Sequence, residues 1–256
     1  MASGSSGNCL LISAGGTHIL IDAGISARRI GQGLKEFGLT PAELDGILVT
    51  HEHSDHISGL ATLLKHTAVP VYATAATGRQ IAYRVAWAEE HLHTISPGNG
   101  FSIGELDLTA FSTPHDAADS VGYTMVHQGR KAAVVTDLGR VTEEVLEAVS
   151  GAELVLLETN YDPDWLRSGP YPMQLKARIL GDYGHLSNED GAYLARTLAE
   201  RGTRQLVLAH LSRENNTPAR ALDTVCTCLS CAGIAPQKDV TVEVAPRDRL
   251  GRVCRL

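Results

Sequence analysis

The chain has 256 residues, a formal net charge of -7 and 43% apolar residues. This length and apolar share suit one large α/β domain or two small ones. The acidic balance excludes a broad DNA-coating surface, which needs clustered Lys and Arg to displace counterions.

From the N-terminus, apolar runs rich in β-branched residues and bordered by turn residues predict strands over 9–14, 17–23, 45–50, 69–74, 106–113, 121–127, 131–137, 153–159, 205–210 and 240–244. Gly15-Gly16 between the first two is a hairpin signal. Helical patterns cover 26–37, 56–67, 74–88, 142–150, 172–180, 188–201 and 217–232. Thr142 and Asn188 stand as N-caps, each followed by acidic residues in the first turn. Early hairpins followed by strand–helix alternation predict an α/β fold with two sheets and helices outside them. Residues 160–187 are the most irregular stretch. No charged-then-apolar leader is visible, and no apolar run approaches the roughly 18–20 residues of a membrane span. The five cysteines suggest no disulfide framework and fit a reducing compartment. The expectation is a soluble, cytoplasmic protein. Cys226, Cys228 and Cys231 lie in a helical pattern and read as small buried residues, and Cys9 as buried.

The strongest chemical signal is Val49-Thr50-His51-Glu52-His53-Ser54-Asp55-His56, between a strand and an amphipathic helix. Side chains two apart on an extended strand end point the same way, so His51 and His53 can chelate one ion, while Asp55 and His56 can face a second. Imidazole with carboxylate suits zinc, manganese or iron. Further ligand-type residues end later strands: His115, Asp137 and His210.

This order of motifs resembles the metallo-β-lactamase superfamily, and within it the YycJ/VicX (WalJ) type. The match is carried by Ser3–Cys9, Ile19–Ser26, Ile47–Leu60, Val134–Gly139, Glu158–Asp162, Gly184–Asn188 and Leu208–Pro218, and spans nearly the whole chain. The resemblance implies a four-layer αββα sandwich of two mixed β-sheets flanked by helices, as a single domain over 1–256 without a β-CASP insertion. It implies two divalent metal ions, one on His51, His53 and His115, the other on Asp55, His56 and His210, bridged by Asp137. Asp22 would orient the His-rich loop. A hydroxide held between the metals would attack phosphorus, making Asp55 and Asp137 part of the catalytic apparatus. Glu158 and His185 resemble the Glu–His pair of tRNA 3′-processing enzymes of the same fold, which protonates the leaving oxygen.

The implied activity is a DNA 5′-to-3′ exonuclease linked to bacterial mismatch repair, with DNA as substrate and a repair protein as partner. The same site also supports a small-molecule phosphodiesterase, and a metal-stabilised regulatory protein is the non-catalytic alternative. Ser187, Ser212 and Arg213 are candidate phosphate contacts. So are Ser5, Ser6 and Asn8, because small residues at the start of the chain let backbone N–H groups approach an anion.

Overall fold

A computed structural model describes residues 2–256. Its strands form two mixed sheets, of order β1-β2-β3-β4-β5 and β12-β11-β10-β9-β8-β7-β6. The chain divides into two compact units, one holding the chain up to Ala110 with Ala117–Val121 and Pro246–Arg252, the other holding Phe111–Asp116, Gly122–Ala245 and Val253–Leu256.

In the first unit, β1 (Leu10–Ala14) and β2 (Thr17–Ile21) form the expected antiparallel hairpin, with Gly15 at φ 58° in the turn. β3 (Gly46–Leu48), β4 (Val71–Thr74) and β5 (Leu92–Ile95) add in parallel. α1 (Ala27–Lys35) buries Ile30 and Leu34, and α4 (Ala75–Arg84) buries Ile81, in a core shared with Leu20, Ile47, Val49, Leu60 and Val71. The helix expected over 56–67 is two short ones, α2 (Ser54–Ile57) and α3 (Leu60–Leu64). The break has a local cause: Ser58 and Gly59 are tied to the 23–25 loop by Ser58 Oγ donating to Gly24 O (2.6 Å) and Gly59 N donating to Ala23 O (2.8 Å). β5 and the hairpin strand β6 (Gly100–Ile103) are missing from the sequence reading, because four half-exposed residues carry too little alternation. β6 pairs antiparallel with β7 (Leu106–Ser112).

In the second unit, β8 (Val121–His127) and β9 (Arg130–Val135) are antiparallel, and β9, β10 (Leu154–Glu158), β11 (Gln205–Ala209) and β12 (Thr241–Val244) run parallel. α5 (Glu143–Val149), α8 (Asn188–Glu200) and α9 (Pro218–Cys231) turn Val145, Leu194, Leu198, Val225 and Leu229 into one core with Val135, Val155, Leu157 and Leu208. Thr142 caps α5 as expected, its side chain accepting from Val145 N. The cap of α8 is Ser187 and not Asn188: its Oγ accepts from Asp190 N, and Asn188 is the first helical residue. Within the irregular stretch, Asp162 caps a further helix, α6 (Pro163–Ser168), before α7 (Met173–Leu180). The cysteine stretch needs correction: Cys226 and Cys228 are only partly buried against the core, and Cys231 is exposed, at the solvated end of α9. Cys9 is buried, and burial pushes its thiol up to about 12. Among the described residues, no helix is long and apolar enough to cross a membrane.

Candidate metal centre

Asp22 directly follows β2, and the His-rich loop directly follows β3. His51 and His56 are buried, while His53 and Asp55 are half-buried. The His51 ring lies 4.5 Å from that of His53 and 4.1 Å from that of His56, centroid to centroid. Asp22 is the hub of this loop. Its carboxylate accepts from Thr50 N (2.9 Å) and Thr50 Oγ1 (3.0 Å) and lies 2.7 Å from His56 Nδ1.

The opening Gly/Ser loop is packed onto the same residues. Asn8 N donates to Asp55 O (2.7 Å), and Gly24 N donates to Asn8 O (2.7 Å). The Asn8 side chain accepts from Gly4 N (2.9 Å) and lies 3.1 Å from His56 Nε2. Of the three loop residues expected to meet substrate, Asn8 is therefore only 7% exposed and occupied within the fold, while Ser5 and Ser6 are exposed.

In the second unit each candidate follows or ends a strand: His115 after β7, Asp137 after β9, Glu158 as the last residue of β10, and His210 after β11. His115 Nδ1 lies 2.9 Å from Gly184 O. Burial holds the His115 imidazole below its usual pKa, against the opposing pull of Asp137. Glu158 is completely buried. One of its oxygens, Oε1, lies 2.8 Å from both His185 Nδ1 and His210 Nδ1, and the other accepts from Leu138 N and Leu186 N (3.2 Å each). Burial alone would raise the Glu158 carboxyl, but the charge and hydrogen bond of His185, followed by those of His210, outweigh it and hold it well below the carboxylate range. His185 sits 3.7 Å and His210 3.3 Å from Asp137 Oδ1.

Two features of this structure test the fit to a divalent metal. First, the ligand candidates His56, His115 and His210 all give Nδ1 to an oxygen acceptor. A carboxylate or carbonyl can only accept, so the proton sits on Nδ1 and Nε2 keeps its lone pair, which is the oriented state in which an imidazole binds a metal. Second, the non-glycine residues with left-handed φ among the described residues are Asp22, Gln128, Asp137, His210 and Gln237. Three of these are the hub, the bridging candidate and a ligand candidate. Such backbone costs on the order of 1 kcal/mol or more and gathers at functional sites. The imidazole and carboxylate donors suit zinc, manganese or iron. The residues fit the group. Glu158 lies in one cluster of ligand-type atoms with Asp137, His185 and His210, and both its oxygens also act as hydrogen-bond acceptors.

Ser187 and Ser212 are buried and serve their own turns, Ser187 on Asp190 N and Ser212 accepting from Asn215 N (3.2 Å), whereas Arg213 is exposed. A buried amide cluster that no local sequence pattern announces lies among these residues. Asn160 Nδ2 donates to His210 O (2.7 Å). Asn216 Nδ2 donates to Thr159 O (2.9 Å) and Asn188 Oδ1 (2.8 Å). Glu52, equally unannounced by pattern, is buried and accepts from Ala118 N (2.9 Å). The available signal is position: these residues stand beside candidate ligands within the same motifs.

Residues 17–211 match the family described as Beta-lactamase superfamily domain. Over 246 residues the chain is 37% identical to Exodeoxyribonuclease WalJ of Streptococcus pneumoniae serotype 2 (strain D39 / NCTC 7466), spanning 94% of this chain and 91% of that protein. Over 217 residues it is 36% identical to Exodeoxyribonuclease YycJ of Bacillus anthracis, spanning 84% and 82%. The solved metallo-beta-lactamase fold protein YhfI from Bacillus subtilis matches with a TM-score of 0.70 at 17% identity, covering 96% of this chain and 94% of that one.

Proposed function

The chain belongs to the beta-lactamase superfamily, in the group of WalJ- and YycJ-type proteins, and from that premise we propose that it is a metal-dependent exodeoxyribonuclease, hydrolysing DNA 5′ to 3′ in bacterial repair. His51, His53 and His115 would hold one divalent ion and Asp55, His56 and His210 a second, with Asp137 as the carboxylate that would serve both. When bound, the ions supply an activated water and offset the charge that builds on the phosphate.

The observation that carries the reading is the buried Glu158 carboxylate, turned to both His185 and His210. Through Nδ1 it fixes the plane and tautomer of each ring. His210 thereby offers a lone pair at Nε2. His185 in its doubly protonated state keeps Nδ1–H on Glu158 and gives Nε2–H to the leaving oxygen. Its side chain is 20% exposed, so a substrate oxygen can reach it. An alkoxide leaving group needs that proton, and a positioned imidazole contributes about 10²–10⁴-fold.

The test is a purified protein assayed with zinc and with manganese on end-labelled DNA and on small phosphodiesters. The expected result is stepwise shortening of DNA from its 5′ end, abolished by chelation. His185→Ala is expected to lower kcat about 10²–10⁴-fold while bound metal stays at the wild-type level. Efficient turnover of a small diester with no cleavage of any DNA would overturn the nuclease reading, and a His185→Ala enzyme with wild-type kcat would remove the proton-donor role.

A further inference from the structure

Exposed tyrosines are ordinary on a protein surface, but Tyr183 differs from the others in how it is held. Tyr83 and Tyr193 are exposed residues of the helices α4 and α8. Tyr183 lies in the turn 181–185, two residues before His185, and is 59% exposed. The turn's backbone serves the candidate centre directly. Tyr183 O accepts from Asp116 N (3.0 Å), and Gly184 O lies 2.9 Å from His115 Nδ1.

The turn is also closed against its surroundings. Gly184 N donates to Gly181 O (2.8 Å) and His185 N to Ile179 O (3.1 Å). A Cβ on Gly184 would stand 2.2 Å from Ile179 O, and one on Gly139, two residues past Asp137, 2.3 Å from Asp182 C. The turn therefore has little room to swing, its backbone meets His115 and leads into His185, and it carries an aromatic side chain exposed to water. Folding gains little from that ring.

Cations accompany it. Arg178, with its side chain 56% exposed, forks onto Asp116, and Arg140, 51% exposed, lies 3.9 Å from Asp182. An exposed aromatic side chain on a turn whose residues and backbone partner, Asp182 and Asp116, hold partly exposed guanidinium groups brings together the two chemistries that bind single-stranded nucleic acid, a ring for the base and cations for the backbone.

We propose that Tyr183 is the stacking platform for the nucleobase next to the scissile phosphodiester of a single-stranded DNA end, which makes it a binding residue that selects nucleic acid over small diesters. The inference rests on the exonuclease reading above. The turn that carries the ring leads within two residues to His185, so the base contact and the proton donor share one tightly held stretch of chain. Any base offers a π face, so this contact tolerates sequence.

The test is steady-state cleavage of a short single-stranded oligonucleotide, with and without an abasic site at the nucleotides flanking the first bond cut. Tyr183→Ala is expected to raise KM about 5- to 150-fold, the range that loss of one base–aromatic stack corresponds to. Tyr183→Trp and Tyr183→Phe restore most of it. The abasic substrate costs the wild type a similar factor, and the two losses are not additive, because both remove the same contact. A KM within twofold of wild type for Tyr183→Ala, additive losses, or a wild-type enzyme indifferent to the abasic site would each overturn the proposal. The last of these needs no variant to fold. A wild type that cuts DNA yet ignores Tyr183 leaves the nuclease reading standing, whereas a wild type that cuts no DNA removes both.

Discussion

Glu158 is the residue on which most of the second unit's chemistry depends. It is wholly buried, and its four acceptor contacts are two imidazoles and two backbone amides. A buried carboxylate of this kind is stable only while every partner is present. Glu158→Gln keeps the shape but replaces one acceptor oxygen with an N–H donor. That donor must face either the amides of Leu138 and Leu186 or the Nδ1–H groups of His185 and His210, and each of those is itself a donor. The expected outcome is a loss of about 3–5 kcal/mol of stability, the cost of breaking a buried charge pair. Metal affinity should also weaken about 10- to 100-fold, since His210 loses the group that orients it. Denaturant titration and metal analysis of the variant check both. Wild-type stability together with wild-type metal content would show that the two imidazoles are held by something other than this carboxylate.

At the scale of elements, one design recurs: a short strand ends, and a chemical side chain stands at or just after the end, often on a left-handed residue. Asp22 follows β2 at φ 61°, Asp137 follows β9 at φ 61°, and His210 follows β11 at φ 56°. Within each unit such loops meet neighbouring backbone closely at a glycine. A Cβ on Gly24 would lie 1.6 Å from Asp55 O and 2.8 Å from Asn8 N. Gly24→Ala is therefore expected to push the 23–25 loop off the His-rich loop, costing about 1–3 kcal/mol as an overpacked site does and weakening metal binding. Gly31→Ala, within α1 where nothing lies within 4 Å of the added Cβ, is the matched control and is expected to stabilise by about 0.5–1 kcal/mol. Equal stability of the two variants in denaturant would refute the close-approach argument. The same strand-end design explains what the sequence discloses. His51, His115, Asp137 and His210 are legible because a polar ligand-type residue ending an apolar run stands out from its neighbours. The supports are not. Asn188 reads as a helix cap and Asn160 and Asn216 carry no pattern of their own, and only three-dimensional contact reveals that the amides of Asn188 and Asn216 meet and that those of Asn160 and Asn216 satisfy backbone carbonyls at Thr159 and His210. Likewise Glu158 is visible as half of a pair with His185, but its second imidazole, His210, lies 52 residues further on, and no local pattern joins them. β5 and β6 are hidden for a different reason, being too short to show a period.

For the molecule as a whole, the proposed metals are part of the folding equilibrium. The ligand candidates run from His51 to His210, with long stretches of chain between His56, His115, Asp137 and His210. An unfolded chain cannot hold so dispersed a set around an ion, so metal binds the native state almost alone and stabilises it by linkage, by about 4 kcal/mol at a free metal concentration 1,000 times Kd. For a chain of this size, each kcal/mol moves Tm by roughly 2–4 °C. Stripping the metal with a chelator is therefore expected to lower Tm by about 8–16 °C, and restoring zinc or manganese to reverse it. The dependence on free metal is diagnostic. Tm should climb with the logarithm of concentration above Kd, and the climb should be steeper if two ions bind than if one does. Asp137→Asn removes the carboxylate proposed to serve both ions, so its Tm should respond far less to added metal. Calorimetry with and without chelator reads all of this without any substrate. A Tm that stays within about 2 °C between the chelated and loaded protein would mean that these residues hold no tightly bound ion, whatever their likeness to a metal-binding family.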